Sequence, residues 1–124
     1  MKKVVNTNTA PCPIEPYSQG VQIGDLIFFS GQIPLHPKTG KIPEGIEEQT
    51  KQVLENVKAL LRSQKLGFEN VIKTTVFLDS MEDITKINEV YATYFVEPFP
   101  ARSAVEVAKL PYGALIEVEV IVGK

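Results

Sequence analysis

Residues 115–122 read LIEVEVIV, and how this stretch sits in a sheet decides the layering of the whole chain. It is a β-branched run with side chains alternating in direction, which is a strand. Ile116, Val118, Val120 and Val122 line one face, an apolar surface expected to meet helices. Leu115, Glu117, Glu119 and Ile121 line the other. That second face mixes carboxylates with large apolar groups. Two layers alone would leave those apolar groups in water, so a subunit interface is the expected cover.

Working back from this strand, the period changes twice to a helical one. Ile46, Val53, Leu54, Val57, Leu60 and Leu61 share a face of a helix predicted from about residue 46 to 66, with Gly67 as its stop. A second helix is predicted after Asp79 or Ser80, with Asp83 resembling a capping box. It carries Ile84, Ile87, Tyr91, Tyr94 and Phe95 on one face and ends before Pro98 and Pro100. Between the helices VIKTTVFL, residues 71–78, is a strand. VQIGDLIFFS, residues 21–30, reads as two short strands about a Gly24-Asp25 turn. Residues 1–20 read as a partly extended lead-in, and 34–45 as a loop. A further strand is predicted over 103–109, joined to the last across Pro111-Tyr112-Gly113. The order is ββαβαββ, an α+β mixed sheet with both helices on one face, in a single domain over residues 1–124.

Thirteen Lys and Arg stand against fifteen Asp and Glu, with no basic stripe, so nucleic acid is not the expected partner. No membrane span is expected, and the first residues lack the apolar stretch of a secretory signal. One cysteine and one histidine argue against an internal disulfide or a protein-built zinc site, and for a reducing cytoplasm.

Candidate chemistry gathers at a few positions. In FPARSAVEVAKLP, residues 99–111, Arg102 follows Pro100 at a strand entrance. Its planar fork suits a carboxylate; the alternative is a surface salt bridge. Glu117 near an apolar interface can take a proton from water, but Glu119 and Glu106 compete for that role, and the residues alone leave the choice open. Asn88 falls on the apolar stripe of its helix, as a buried structural amide or a ligand contact. Tyr17 and Ser30, in PYSQG and FSGQ, offer hydroxyls and Gly31 an amide to a polar pocket; a core tyrosine and a turn serine are the alternatives. His36 and Cys12 read as incidental.

Taken in order, PYSQGV, FFSGQIP, HPKTGKIP, VLENVKALL, VIKTTVFL, INEVYATYF, FPARSAVEVAKLP and IEVEVI resemble the Rid family, also called the YjgF/YER057c/UK114 family, in its RidA subgroup of reactive-intermediate deaminases. The likeness runs from about Val4 to Val122. It implies a chorismate-mutase-like fold and a homotrimer with a barrel-like centre and sites in clefts between subunits. It implies hydrolysis of 2-imino acids and enamines, such as 2-aminoacrylate and 2-iminobutyrate, to 2-oxo acids and ammonia, with no metal or organic cofactor. The resemblance selects Glu117 to activate water. It assigns the substrate carboxylate to Arg102 and the pocket to Tyr17, Ser30, Gly31 and Asn88. Many members carry cysteine where this chain has Ala104; attack by water needs no thiol. Two rival functions accompany the family: a ribonuclease or translation inhibitor, and a non-catalytic trimer that binds small carboxylates.

Overall fold

A computed structural model describes residues 1–124. Its strands are β1 (Lys3–Val5), β2 (Gly20–Ile23), β3 (Leu26–Phe29), β4 (Val71–Leu78), β5 (Ala101–Glu106) and β6 (Ile116–Gly123); its helices are α1 (Ile46–Ser63) and α2 (Ile84–Tyr91). The strands form one mixed sheet in the order β1-β2-β3-β6-β4-β5. β6 is therefore central, antiparallel to both β3 and β4. Its alternation is as expected: Ile116, Val118, Val120 and Val122 are buried under the helices, and Glu117, Glu119 and Ile121 face away. From α1, Val53, Leu54, Val57, Leu60 and Leu61 are fully buried. Each such side chain contributes about 1.5–3 kcal/mol of apolar burial.

Four local expectations are corrected. The last two strands do not pair as a hairpin. β5 instead runs parallel to β4 at the sheet edge, with α2 as the crossover, and it starts at Ala101. Pro111 and the two following residues form a turn of 3-10 type that carries the chain from the edge back to the centre. Gly67 does not stop α1. Lys65 does, at φ 60, while the Leu66 N–H reaches back to the Leu61 carbonyl at 3.0 Å. α2 ends at Tyr91 and the chain goes on as turns, in which the Phe95 N–H still reaches the Tyr91 carbonyl at 3.1 Å and Phe95 stays buried against Tyr91. Finally, the lead-in contributes β1, which pairs with β2 and buries Val5; three residues are too short a run to signal a strand.

The pairing sorts the functional residues by face. Arg102 lies opposite Thr74, and Glu117 opposite Phe77. Thr74 and Phe77 are three positions apart on β4, so they point to opposite sides. Thr74 is fully buried and its hydroxyl meets Tyr91 of α2. Arg102 therefore belongs to the helix-bearing face and Glu117 to the open one. The open face carries exposed Val4, Ile23, Phe28 and Val105. No helix is long and apolar enough to cross a membrane.

Candidate active site

The predicted site residues fall into two groups. Tyr17, Ser30, Gly31 and Glu117 line one cavity of about 440 Å³, together with Cys12, Ile14, Ile33, Leu35 and Tyr112. Arg102 and Asn88 lie together elsewhere, on the other face of the sheet.

Glu117 is half-buried at the centre of the first group. Burial, and then repulsion from Glu119, push its carboxyl above the usual range. Gly31 lets it sit there: a Cβ on Gly31 would collide with Glu117 Oε2. The Gly31 N–H makes no hydrogen bond within the chain, so a backbone donor stands beside the carboxylate. Ser30 spends its proton on the Ser18 carbonyl at 2.6 Å. Its oxygen remains an acceptor, and its bond fixes the strand end from which Gly31 departs. Burial is the main cause that pushes the Tyr17 hydroxyl up, followed by Glu15, Tyr112 and Glu117; it stays a donor at neutral pH.

Buried amides, which the sequence reading missed, hold this wall in place. Gln19 Oε1 accepts from the Thr7 N–H at 2.7 Å, and its Nε2 donates to the carbonyls of Thr7 at 2.9 Å and Pro11 at 2.7 Å. The segment bearing Cys12 and Tyr17 is thereby tied to β2. Gln32 exchanges backbone hydrogen bonds with Val118, next to Glu117. Asn56 of α1 donates to the carbonyls of Ile33 and Leu35, pinning the loop after Gly31. A glutamine or asparagine inside an apolar pattern was the available signal. Tyr112 was read only as a turn residue. It stands at φ 58, followed by Gly113 at φ 68. A tyrosine in that region costs on the order of 1–2 kcal/mol.

The second group is a mounted guanidinium. Arg102 Nη1 donates to Asn88 Oδ1 at 2.8 Å, and the guanidinium lies 5.0 Å from the centroid of the Tyr91 ring. Tyr91 is itself held by Thr74 at 2.9 Å. Asn88 is exposed, contrary to the expected buried position, because it flanks the stripe and faces β5. No carboxylate pairs with Arg102, since the chain's ion pair joins Lys51 and Glu48. Its remaining N–H donors are open to a ligand.

His36 is not incidental: its Nδ1 accepts from the N–H groups of Lys38 and Thr39 and shapes the turn. That turn borders a separate groove of about 690 Å³ lined by Lys38, Lys58 and Arg62. No group of three or more His, Cys, Asp or Glu is placed to hold a metal.

Residues 7–124 match the family described as Endoribonuclease L-PSP. The chain belongs to the Rid family. Among Rid relatives, a RutC family protein of Pyrococcus horikoshii is 54% identical over 100% of this chain and 99% of its own. The 2-iminobutanoate/2-iminopropanoate deaminase of Escherichia coli is 45% identical over 98% and 97%. The structure of Escherichia coli TdcF with bound serine superposes with a TM-score of 0.93 at 43% identity, covering 98% of each chain. The six-stranded mixed sheet with two helices on one face is thus the Rid architecture.

Proposed function

We propose that this Rid chain hydrolyses reactive 2-imino acids, such as 2-iminobutyrate and the imine of 2-aminoacrylate, at sites completed between copies of itself. One observation carries the proposal. A half-buried carboxylate with raised proton affinity stands beside a free backbone N–H in a cavity. An unpaired arginine is mounted on the opposite face of the same sheet. Neither group can reach the other's ligand within one chain, so a neighbouring copy brings its Arg102 to this copy's Glu117. The apolar open face, with Phe28 and Val105, supports a homotrimer with that face inward. Serine bound to a relative of this similarity supports a small carboxylate as ligand.

The chemistry follows. Arg102 grips the carboxylate and fixes C2, which lowers the entropic part of the barrier. Tyr17 and the Gly31 N–H bound the polar end. Water attacks C2 of the iminium. The new C–O bond forms as Glu117 takes a proton, and the C=N electrons pass to nitrogen. Glu117 then returns the proton to nitrogen, the C–N bond breaks as the hydroxyl proton passes to the departing ammonia, and a 2-oxo acid and ammonium leave. A carboxyl that holds its proton more tightly is a better base than an ordinary glutamate, and such assistance contributes about 10²–10⁴ in rate. The single cysteine fits a reducing cytoplasm.

The family description speaks of endoribonuclease activity, and the Lys38, Lys58 and Arg62 groove is where RNA would bind. RNA cleavage surviving Arg102→Ala but lost on Lys58→Glu/Arg62→Glu would favour that reading instead. The direct test generates 2-iminobutyrate in situ with a threonine dehydratase and follows 2-oxobutyrate. Wild type should accelerate its formation, Arg102→Ala should abolish the acceleration, and Glu117→Ala should bind but turn over slowly. No acceleration by wild type would overturn the proposal.

A further inference from the structure

Resting on the imine-hydrolase reading above, we propose that Tyr112 builds a side-chain subsite, and that this chain prefers 2-imino acids with large apolar or aromatic side chains over the four-carbon imine. Three observations point there. The cavity holding Glu117 measures about 440 Å³. That is the space on this copy's side, before the neighbour's Arg102 enters; it lies within the range of pockets for drug-sized ligands and exceeds what a seven-heavy-atom acid such as 2-iminobutyrate fills. Its polar lining is Glu117, Gly31, Ser30, the Tyr17 hydroxyl, Glu15, Gln19 and Gln32. Its apolar part is Ile14, Ile33 and Leu35 with two prolines, and Tyr112 lines the same cavity. Lastly, Tyr112 is 71% exposed and Ile14 90%, so both have surface left to bury against a ligand.

The backbone at Tyr112 strengthens the assignment. Its φ of 58 favours glycine, and the preceding Pro111 and following Gly113 hold the turn in place. A bulky residue kept in that conformation is a feature of ligand clamps. Tyr112 and Tyr17 both line the cavity, so each presents a phenol ring to it. A substrate held by its carboxylate and attacked at C2 beside Glu117 has its side chain left for this apolar wall. The reaction keeps its balance whatever that side chain is: iminium and water give 2-oxo acid and ammonium. Flavin-dependent oxidation of apolar amino acids is the class of reaction that would supply such imines.

One amino-acid oxidase, with catalase present, can generate 2-iminobutyrate and 2-imino-3-phenylpropionate from the parent amino acids. Wild type should show the higher kcat/KM on the phenyl imine. Tyr112→Gly, which suits the backbone, should lower the phenyl-to-butyrate ratio about tenfold, mainly through KM. Tyr112→Phe should keep the ratio. Acceleration of both imines with a ratio unmoved by Tyr112→Gly overturns the subsite and leaves the hydrolase standing. Acceleration of neither overturns the hydrolase. Calorimetry with 3-phenylpyruvate and 2-oxobutyrate then decides the subsite: tighter binding of phenylpyruvate, lost in Tyr112→Gly, upholds it, and equal affinities overturn it.

Discussion

Glu117 and Gly31 act as one unit, and single substitutions separate chemistry from stability. A Cβ at Gly31 displaces only the end of a flexible side chain. Gly31→Ala should therefore change stability by less than about 1 kcal/mol while lowering kcat/KM about 10²-fold, checked by urea melts beside the imine assay. Burial and Glu119 make the Glu117 carboxyl hold its proton more tightly in the folded chain than in the unfolded one. Its ionisation thus opposes folding, weakly below the unfolded value and fully above the folded one. Glu117→Gln should melt higher than wild type at neutral pH, lose that advantage in acid, and be nearly inactive. The proposed reaction needs the ionised base, so activity should rise with pH along a limb above the ordinary glutamate range. Glu119→Gln should move that limb toward acid. The position of Arg102 and the face of Glu117 were legible in the sequence, because a two-residue period and a proline announce them. The choice among Glu106, Glu117 and Glu119 was not, since it depends on depth and on Gly31 in the segment that follows β3. The same holds for Tyr112, whose backbone angle leaves no trace in residue type.

At the scale of elements, the cavity wall is a clasp. Gln19 is 2% exposed and serves both Thr7 and Pro11, a job no single backbone strand performs. Gln19→Ala should cost about 1–3 kcal/mol and loosen the Tyr17 segment. A urea midpoint that falls at constant slope, with protease cleavage appearing near residues 6–16, would bear this out; an unchanged midpoint would contradict it. Element types were readable because α1 and β6 have strong, distinct periods. Pairing was not. Nothing in residues 101–123 distinguishes a hairpin from a β5 that pairs with β4 and a β6 that inserts between β3 and β4. Only the burial of β6 on both long edges, set by distant partners, settles it. Asn88 was misplaced for a related reason: a short helix buries a narrow stripe, and its flank belongs to the neighbouring strand.

For the whole molecule, the open sheet face is the strongest constraint. Exposed Val4, Ile23, Phe28 and Val105 on one side of a sheet call for a cover, and the split of Arg102 from Glu117 calls for a second copy. Phe28→Glu should leave a folded chain that light scattering finds monomeric, with imine hydrolysis lost; an active monomer would contradict the shared site. The sequence pattern raises the expectation of this cover but not its geometry, because a strand's period assigns faces and does not say which copy meets them. The central claim is that Arg102 and Glu117 of different copies serve one imine. The most direct measurement co-refolds Arg102→Ala and Glu117→Ala chains in equal amounts and assays the mixture. Each site then draws an intact arginine and an intact glutamate with even odds, so about a quarter of wild-type activity should return from two inactive parents. A mixture no more active than the separate variants would contradict the account.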